Sequence, residues 1–133
     1  MPTTIPAMLI ALVIYAAAGG TGIGVLQAAA DEGILSIGVD SNQNHLHPGK
    51  VLTSMVKRVD NSVYEAFKAG EAVEPGIKLM DLKAEGVGLA MDEHNAPLIT
   101  PEMTAAVDQA KAKIIAGEIV PHDYMSDNSC PAD

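Results

Sequence analysis

The sequence predicts an α/β fold, an open and mostly parallel sheet flanked by helices, on three observations. An apolar run densest at Leu9-Ile10-Ala11-Leu12-Val13-Ile14 leads into a glycine-dense turn, Gly19-Gly20-Thr21-Gly22-Ile23-Gly24, and then into a helical pattern. A second apolar stretch, Ile34 to Val39, follows that helix, and continuous apolar strands belong to parallel sheets buried on both faces. After an Asn-rich loop, strand and helix alternate again, the pattern of a layer with right-handed connections.

Taken in order, Ala7 to Ala16 reads as a buried strand, although a helix fits the same periodicity. The helix after the glycine turn sets Val25, Leu26 and Ala29 on one face and stops at Gly33. Ile34 to Val39 is the second strand and ends at Asp40; Ser41 to Gly49 is a loop. Lys50 to Leu52 reads as a short strand, and Thr53 or Ser54 then caps a helix through Ala69. Val56, Val59, Val63 and Phe67 repeat along it at helical spacing, which sets Phe67 facing inward. Ile77 to Leu82 and Val87 to Ala90 read as strands about the Lys83-Ala84-Glu85-Gly86 turn. Thr100-Pro101-Glu102 has the order of a cap, a first-turn proline and a first-turn acid. That helix runs to Ala116, with Val107, Ala110 and Ile114 inward and Gly117 at its end. The chain thus divides into an N-terminal extension or strand (1–13), one lobe (14–120) and a polar tail (121–133).

Composition narrows the function. With 48% hydrophobic residues but one Phe, three Tyr and no Trp, the core is aliphatic and few rings are available to stack on a planar ligand. Seventeen acidic residues against eight basic ones give a net charge of −9, and no basic stripe extends beyond Lys57-Arg58, so nucleic acid is not an expected partner. The single Cys130 rules out an intrachain disulfide. Ile5 to Ala18 has the look of a signal-peptide core with a small-residue site at Ala16-Ala17-Ala18. No Lys or Arg precedes it, and it reads instead as a strand with an extension.

The glycine turn fails both phosphate-binding patterns. From Gly20 the dinucleotide spacing reaches Gly22 and then Val25; from Gly19 the P-loop spacing reaches Gly24 and then Val25 where Lys is required. Two readings remain: a tight strand-to-helix turn, or backbone N–H groups opening into a cleft at the carboxyl ends of the strands. Asp40, at the end of the second strand, stands at that same edge. Its carboxylate either caps the following loop or accepts two hydrogen bonds from a vicinal diol such as ribose. Lys57 is either a solvated lysine or the donor that compensates Asp40. His45-x-His47 has no clustered Cys or acid, so no metal site is expected. Asp92-Glu93-His94 reads as an exposed polar loop, and no nucleophile, base or metal set supports an enzyme.

Four blocks occur in order over roughly residues 14 to 120: AAGGTGIGVLQAA, IGVDSNQN, PGKVLTSMVKRVDNSVYEA and LKAEGVGLA. Together they resemble the basic membrane protein family, the substrate-binding proteins of ABC transporters that include purine nucleoside receptors. The resemblance implies a type I periplasmic-binding-protein-like fold of two hinged lobes closing on a nucleoside, of which this chain matches the C-terminal lobe only. It implies that Gly19, Gly20 and Asp40 hold the ribose and that Lys57 completes the polar set. It further implies an ABC permease as partner, no cofactor, and a periplasmic or lipid-anchored location for family members. The base-reading lobe, its stacking aromatic and the lipidated cysteine have no counterpart here, and an inward Phe67 does not replace the aromatic. Two functional readings follow: a nucleoside-binding half-site completed by homodimerisation, or a truncated lobe that acts as a structural homodimer without binding solute.

Overall fold

The computed structural model describes residues 13–130. Contacts divide the chain into two compact units, one through Ile99 and one from Thr100. The first unit holds strands β1 (Val13–Tyr15), β2 (Leu35–Asp40), β3 (Val51–Lys57) and β4 (Val87–Leu89), with helices α1 (Thr21–Asp31) and α2 (Val59–Ala69). The strands form one sheet in the order β1-β2-β3-β4; the first two pairings are parallel and β3–β4 is antiparallel. This is the expected α/β layer. The part of the first predicted strand before Val13 lies outside the described residues.

Helix α1 forms where the apolar spacing required it, burying Gly22, Leu26 and Ala29, with Val25 half-buried. Gly33, at φ +72°, supplies the left-handed residue after its end, and the Ile34 N–H bonds back to the Ala29 carbonyl at 2.8 Å. That turn delivers the chain into β2. Among the described residues the buried apolar side chains are Leu26, Ala29 and Val51.

Three expectations are corrected. Thr53 and Ser54 do not cap a helix: they lie inside β3, both buried, and α2 begins six residues later at Val59 than Thr53, with Arg58 as its N-cap. The segment Val51–Lys57 carries β-branched Val51, Thr53 and Val56 and has a hydrogen-bonding strand on each side, so sheet pairing outweighs the cap signal. Lys57 is therefore the last residue of β3 instead of lying one turn into a helix. Second, the inward face assigned to the next helix is solvent-exposed: Phe67 is 82% exposed, and α2 buries no residue at all. Helical spacing records that a face is apolar but does not say that anything covers it. Third, Ile77 to Leu82 forms no strand; Ile77 and Leu79 are exposed, because β4 pairs with β3 alone and offers this segment no ladder.

The second unit contains α3 (Pro101–Ala116) and the short α4 (Tyr124–Asp127). The α3 caps are those the sequence specified: Thr100 Oγ1 accepts the Met103 N–H at 3.2 Å, and Gly117 takes the left-handed C-terminal position at φ +76°. Its predicted inward face holds only in part: Val107 and Ala110 are exposed, Ile114 is half-buried, and no α3 residue is fully buried.

Parallel neighbours β2 and β3 are joined by the segment Ser41 to Lys50, shorter than the usual helical crossover and containing a single 3₁₀ turn at Asn44–Leu46. Gly38 makes this packing possible. A Cβ there would lie 2.5 Å from Ser54 Oγ and 2.9 Å from Gln43 Cβ. Gly38→Ala is therefore expected to lower stability by about 1–3 kcal/mol through overpacking, read as a reduced urea midpoint.

Candidate functional site

Parallel pairing brings the carboxyl ends of β1, β2 and β3 to one edge of the sheet, and the four residues singled out in the sequence stand there: Gly19 and Gly20 after β1, Asp40 at the end of β2, Lys57 at the end of β3. Gly19 has φ +53°, a conformation open to glycine at no steric cost. Gly20 differs. Its φ is −60° and no atom lies within 4 Å of where a Cβ would stand, so neither the backbone nor a neighbour demands glycine at this position. The space beside it is open.

The first-turn N–H groups of α1 turn inward more than an open anion site would require. Thr21, Gly22 and Ile23 donate to the carbonyls of Ala18, Gly19 and Gly20 at 3.2, 3.0 and 3.3 Å. The N–H groups of Gly19 and Gly20 donate to no carbonyl among the described residues. The N-cap Gly20 offers no side-chain acceptor, and the first turn carries no acid. Tyr15 ends β1 at the same edge and is half-exposed, so one of the few aromatic rings stands beside the site.

Asp40 and Lys57 form an ion pair, Oδ1 to Nζ at 2.8 Å, with both side chains about half exposed at 49% and 58%. The Asp40 carboxylate, by hydrogen bond and by charge, holds the Lys57 ammonium above the ordinary lysine range. An exposed pair of this kind contributes less than about 1 kcal/mol to stability. Asp40 also adopts φ +72°, the left-handed region, in which a non-glycine residue costs roughly 1–2 kcal/mol. The edge therefore keeps a left-handed, non-glycine residue whose one ion-pair contact is weak.

Beneath this edge lies a polar network that sequence reasoning treated as a simple loop. Gln43 Oε1 accepts the Val39 N–H at 2.9 Å, and Ser54 Oγ accepts the Gln43 N–H at 3.0 Å while donating to Asn44 Oδ1 at 2.8 Å. Asp92 Oδ2 accepts from Asn42 Nδ2 at 2.7 Å and Asn44 Nδ2 at 3.1 Å, and Asp92 Oδ1 accepts the His94 N–H at 2.9 Å. Asn95, fully buried, donates through Nδ2 to the Leu52 and Ala90 carbonyls at 2.9 and 3.0 Å. These bonds fix the loop that leaves Asp40, so the Asn-rich segment acts as a positioning frame. The available signal was its density of Asn and Gln next to a β-strand end, the composition of side-chain-to-backbone turns.

Those bonds, the one from Asn42 first, hold the Asp92 carboxyl below its ordinary range. Because the folded pKa lies below the unfolded value of about 3.9, the stabilisation is complete above that pH and is lost as acid titrates the folded carboxylate. In Asp92→Asn, stability is expected to fall less steeply on the acid limb than in the parent chain, read from urea midpoints across pH. Asp92-Glu93-His94 thus serves as loop scaffold. His45 is exposed, and no group of three metal-binding side chains occurs among the described residues. Cys130 is exposed and free.

The family profile described as ABC transporter substrate-binding protein PnrA-like matches residues 10–123. The chain belongs to that family. Among its relatives are basic membrane protein D of Borreliella burgdorferi strain JD1, 39% identical over 90 residues (62% of this chain, 26% of the relative). Basic membrane protein A of Borreliella afzelii is 33% identical over 127 residues (86% of this chain, 36% of the relative). The chain thus spans about a quarter to a third of the length of these relatives. Of solved structures, a transcriptional activator of the comK gene from Bacillus halodurans superposes with TM-score 0.70 at 27% identity, over 83% of this chain and 38% of that one. An ABC transporter solute-binding protein from Aeropyrum pernix K1 superposes with TM-score 0.62 at 29% identity, over 86% and 42%. The fold is a single α/β lobe of the solute-binding-protein type, as the four sequence blocks implied.

Proposed function

We propose that this chain is the ribose-holding lobe of a nucleoside-binding protein serving an ABC transporter. In this reading the carboxylate of Asp40 accepts hydrogen bonds from the two vicinal ribose hydroxyls, Lys57 donates to a ligand oxygen, and the Gly19-Gly20 backbone lets the sugar approach closely. The observation that carries it is Asp40, held in a left-handed conformation and paired, among the described residues, with a half-exposed lysine alone, at the edge where open α/β sheets bind ligands. The open space at Gly20 and family membership support the same reading. The permease of such a transporter is the partner that family membership suggests.

Titration calorimetry with adenosine, guanosine, inosine and uridine, and with the free bases as controls, tests this function. Saturable heat from nucleosides and none from bases is the expected result; no heat from any of them at millimolar ligand contradicts it. One lobe encloses little of a ligand, so binding by the chain alone should be weak.

A second reading, a structural homodimer without solute, is favoured by a separate observation. Among the described residues, exposed apolar side chains, with Val59, Val63 and Phe67 on α2 and Val13 and Tyr15 on β1 among them, outnumber the buried ones. A second copy covering part of this surface is compatible with ribose binding as well, and we place homodimerisation in both readings.

A further inference from the structure

Asp40 is the centre of a three-residue turn. The Ser41 N–H donates to the Val39 carbonyl at 2.9 Å across it, and Asp40 has φ +72°, which makes this the rare hand of a γ-turn. The same hydrogen bond closes the commoner hand, with negative φ at the centre, so the bond does not choose between them. Aspartate does not impose the left-handed form either, because a side chain with a Cβ disfavours it. The choice comes from what holds the turn on either side.

Upstream, β1 pairs with β2 only as far as Ile37, and the Val39 N–H donates to Gln43 Oε1 at 2.9 Å. That bond closes a ring over Val39 to Gln43, with the γ-turn inside it. Gln43 is itself pinned. Its N–H donates to Ser54 Oγ at 3.0 Å, and Ser54 is completely buried in β3. Its side chain lies against Gly38, where a Cβ would stand 2.9 Å from both Gln43 Cβ and Gln43 Oε1. The amide oxygen is thus fixed by β2 and β3, and the Val39 peptide must turn to meet it. Asn42 ties the same loop to Asp92 at 2.7 Å, but its side-chain bonds go to Asp92 and the Asn44 N–H and not to Val39.

We propose that Gln43 is the positioning residue of the candidate site. By holding the Val39 N–H, its amide oxygen selects the left-handed turn and so aims the Asp40 carboxylate at the place where it meets Lys57 Nζ, 2.8 Å away. Reversing the sign of φ redirects the Cα–Cβ bond of Asp40, and the carboxylate leaves that place with it. Gln43 acts through Asp40. Its effect on affinity rests on the ribose reading given above; its effect on the Asp40 backbone does not. When only a fraction of the molecules hold the competent conformation, the apparent dissociation constant rises by the inverse of that fraction.

The test begins without ligand. At positive φ the amide and Hα protons of one residue lie close together, so Asp40 in the full chain should give a strong intraresidue nuclear Overhauser effect. Gln43→Met keeps the length of the side chain and removes the acceptor; it should weaken that signal to the level of ordinary strand residues. Gln43→Glu, which keeps an oxygen at the same reach, should restore it. Asn42→Ala, which loosens the same loop without touching the Val39 N–H, should keep it. If Gln43→Met does not fold, Ser54→Ala, which frees Gln43 from β3, should weaken the same signal. In calorimetry Gln43→Met should bind adenosine about tenfold more weakly, the result of a left-handed population near one tenth. A signal unchanged in Gln43→Met or Ser54→Ala, or lost equally in Asn42→Ala, would overturn the proposal, as would full adenosine affinity in Gln43→Met. If the parent chain binds no nucleoside, the ribose reading fails, and the Overhauser signal alone decides whether Gln43 sets Asp40.

Discussion

Asn95→Ala is expected to lower the stability of the first unit by about 3 kcal/mol. Asn95 is completely buried and joins three backbone groups: the Leu52 and Ala90 carbonyls through Nδ2, and the Asp92 N–H, at 2.9 Å, through Oδ1. Alanine removes the side-chain partner of the Leu52 carbonyl and the Asp92 N–H, while the Ala90 carbonyl keeps the Thr53 hydroxyl at 2.9 Å, and each group left unsatisfied costs about 1–3 kcal/mol. Asn95→Leu, of similar volume, separates the two contributions. If hydrogen bonding dominates, it should lose nearly as much as alanine in urea unfolding; recovery by leucine would mean that volume matters more. Because Asp92 also holds Asn42 and Asn44, the loss should spread into the loop behind Asp40 and raise amide exchange there.

The second large effect separates function from folding at a single position. Asp40→Gly removes a carboxylate from a residue with φ +72°, a conformation that glycine adopts without cost. The variant should be as stable as the parent chain or more stable by roughly 0.5–1 kcal/mol, because the weak surface pair with Lys57 does not offset the relieved strain. It should nevertheless lose nucleoside affinity by about a hundredfold or more, the effect of removing a charged group that takes two hydrogen bonds. A clear loss of stability would assign Asp40 to capping the loop, the other role its sequence context allowed.

Where the sequence was legible, the signal was local. Gly33 and Gly117 sit in left-handed conformations after helices, Thr100 caps α3, and the run Ile34 to Val39 pairs in parallel on both sides. Local rules reached the candidate site too, since strand ends and helix starts set which residues meet the carboxyl edge. What local rules missed depended on distant partners. Thr53 and Ser54 looked like caps because nothing nearby announced that Ala90 would accept a hydrogen bond from the Thr53 hydroxyl at 2.9 Å or that Asn44 would take one from Ser54. Phe67 looked buried because its spacing was apolar, whereas burial needs a second surface to face it. The roles of Asn44, Asp92 and Asn95 are hidden for the same reason: their hydrogen bonds join segments up to fifty residues apart.

If Asp40 reads a ribose diol, titration calorimetry on one preparation should separate adenosine from 2′,3′-dideoxyadenosine. The two ligands share base and 5′-hydroxyl and differ only in the hydroxyls that the carboxylate would accept. Adenosine is expected to bind saturably, with affinity at least about a hundredfold weaker for the dideoxy compound and no such difference in Asp40→Gly. Equal affinity for the two nucleosides in the parent chain would contradict it.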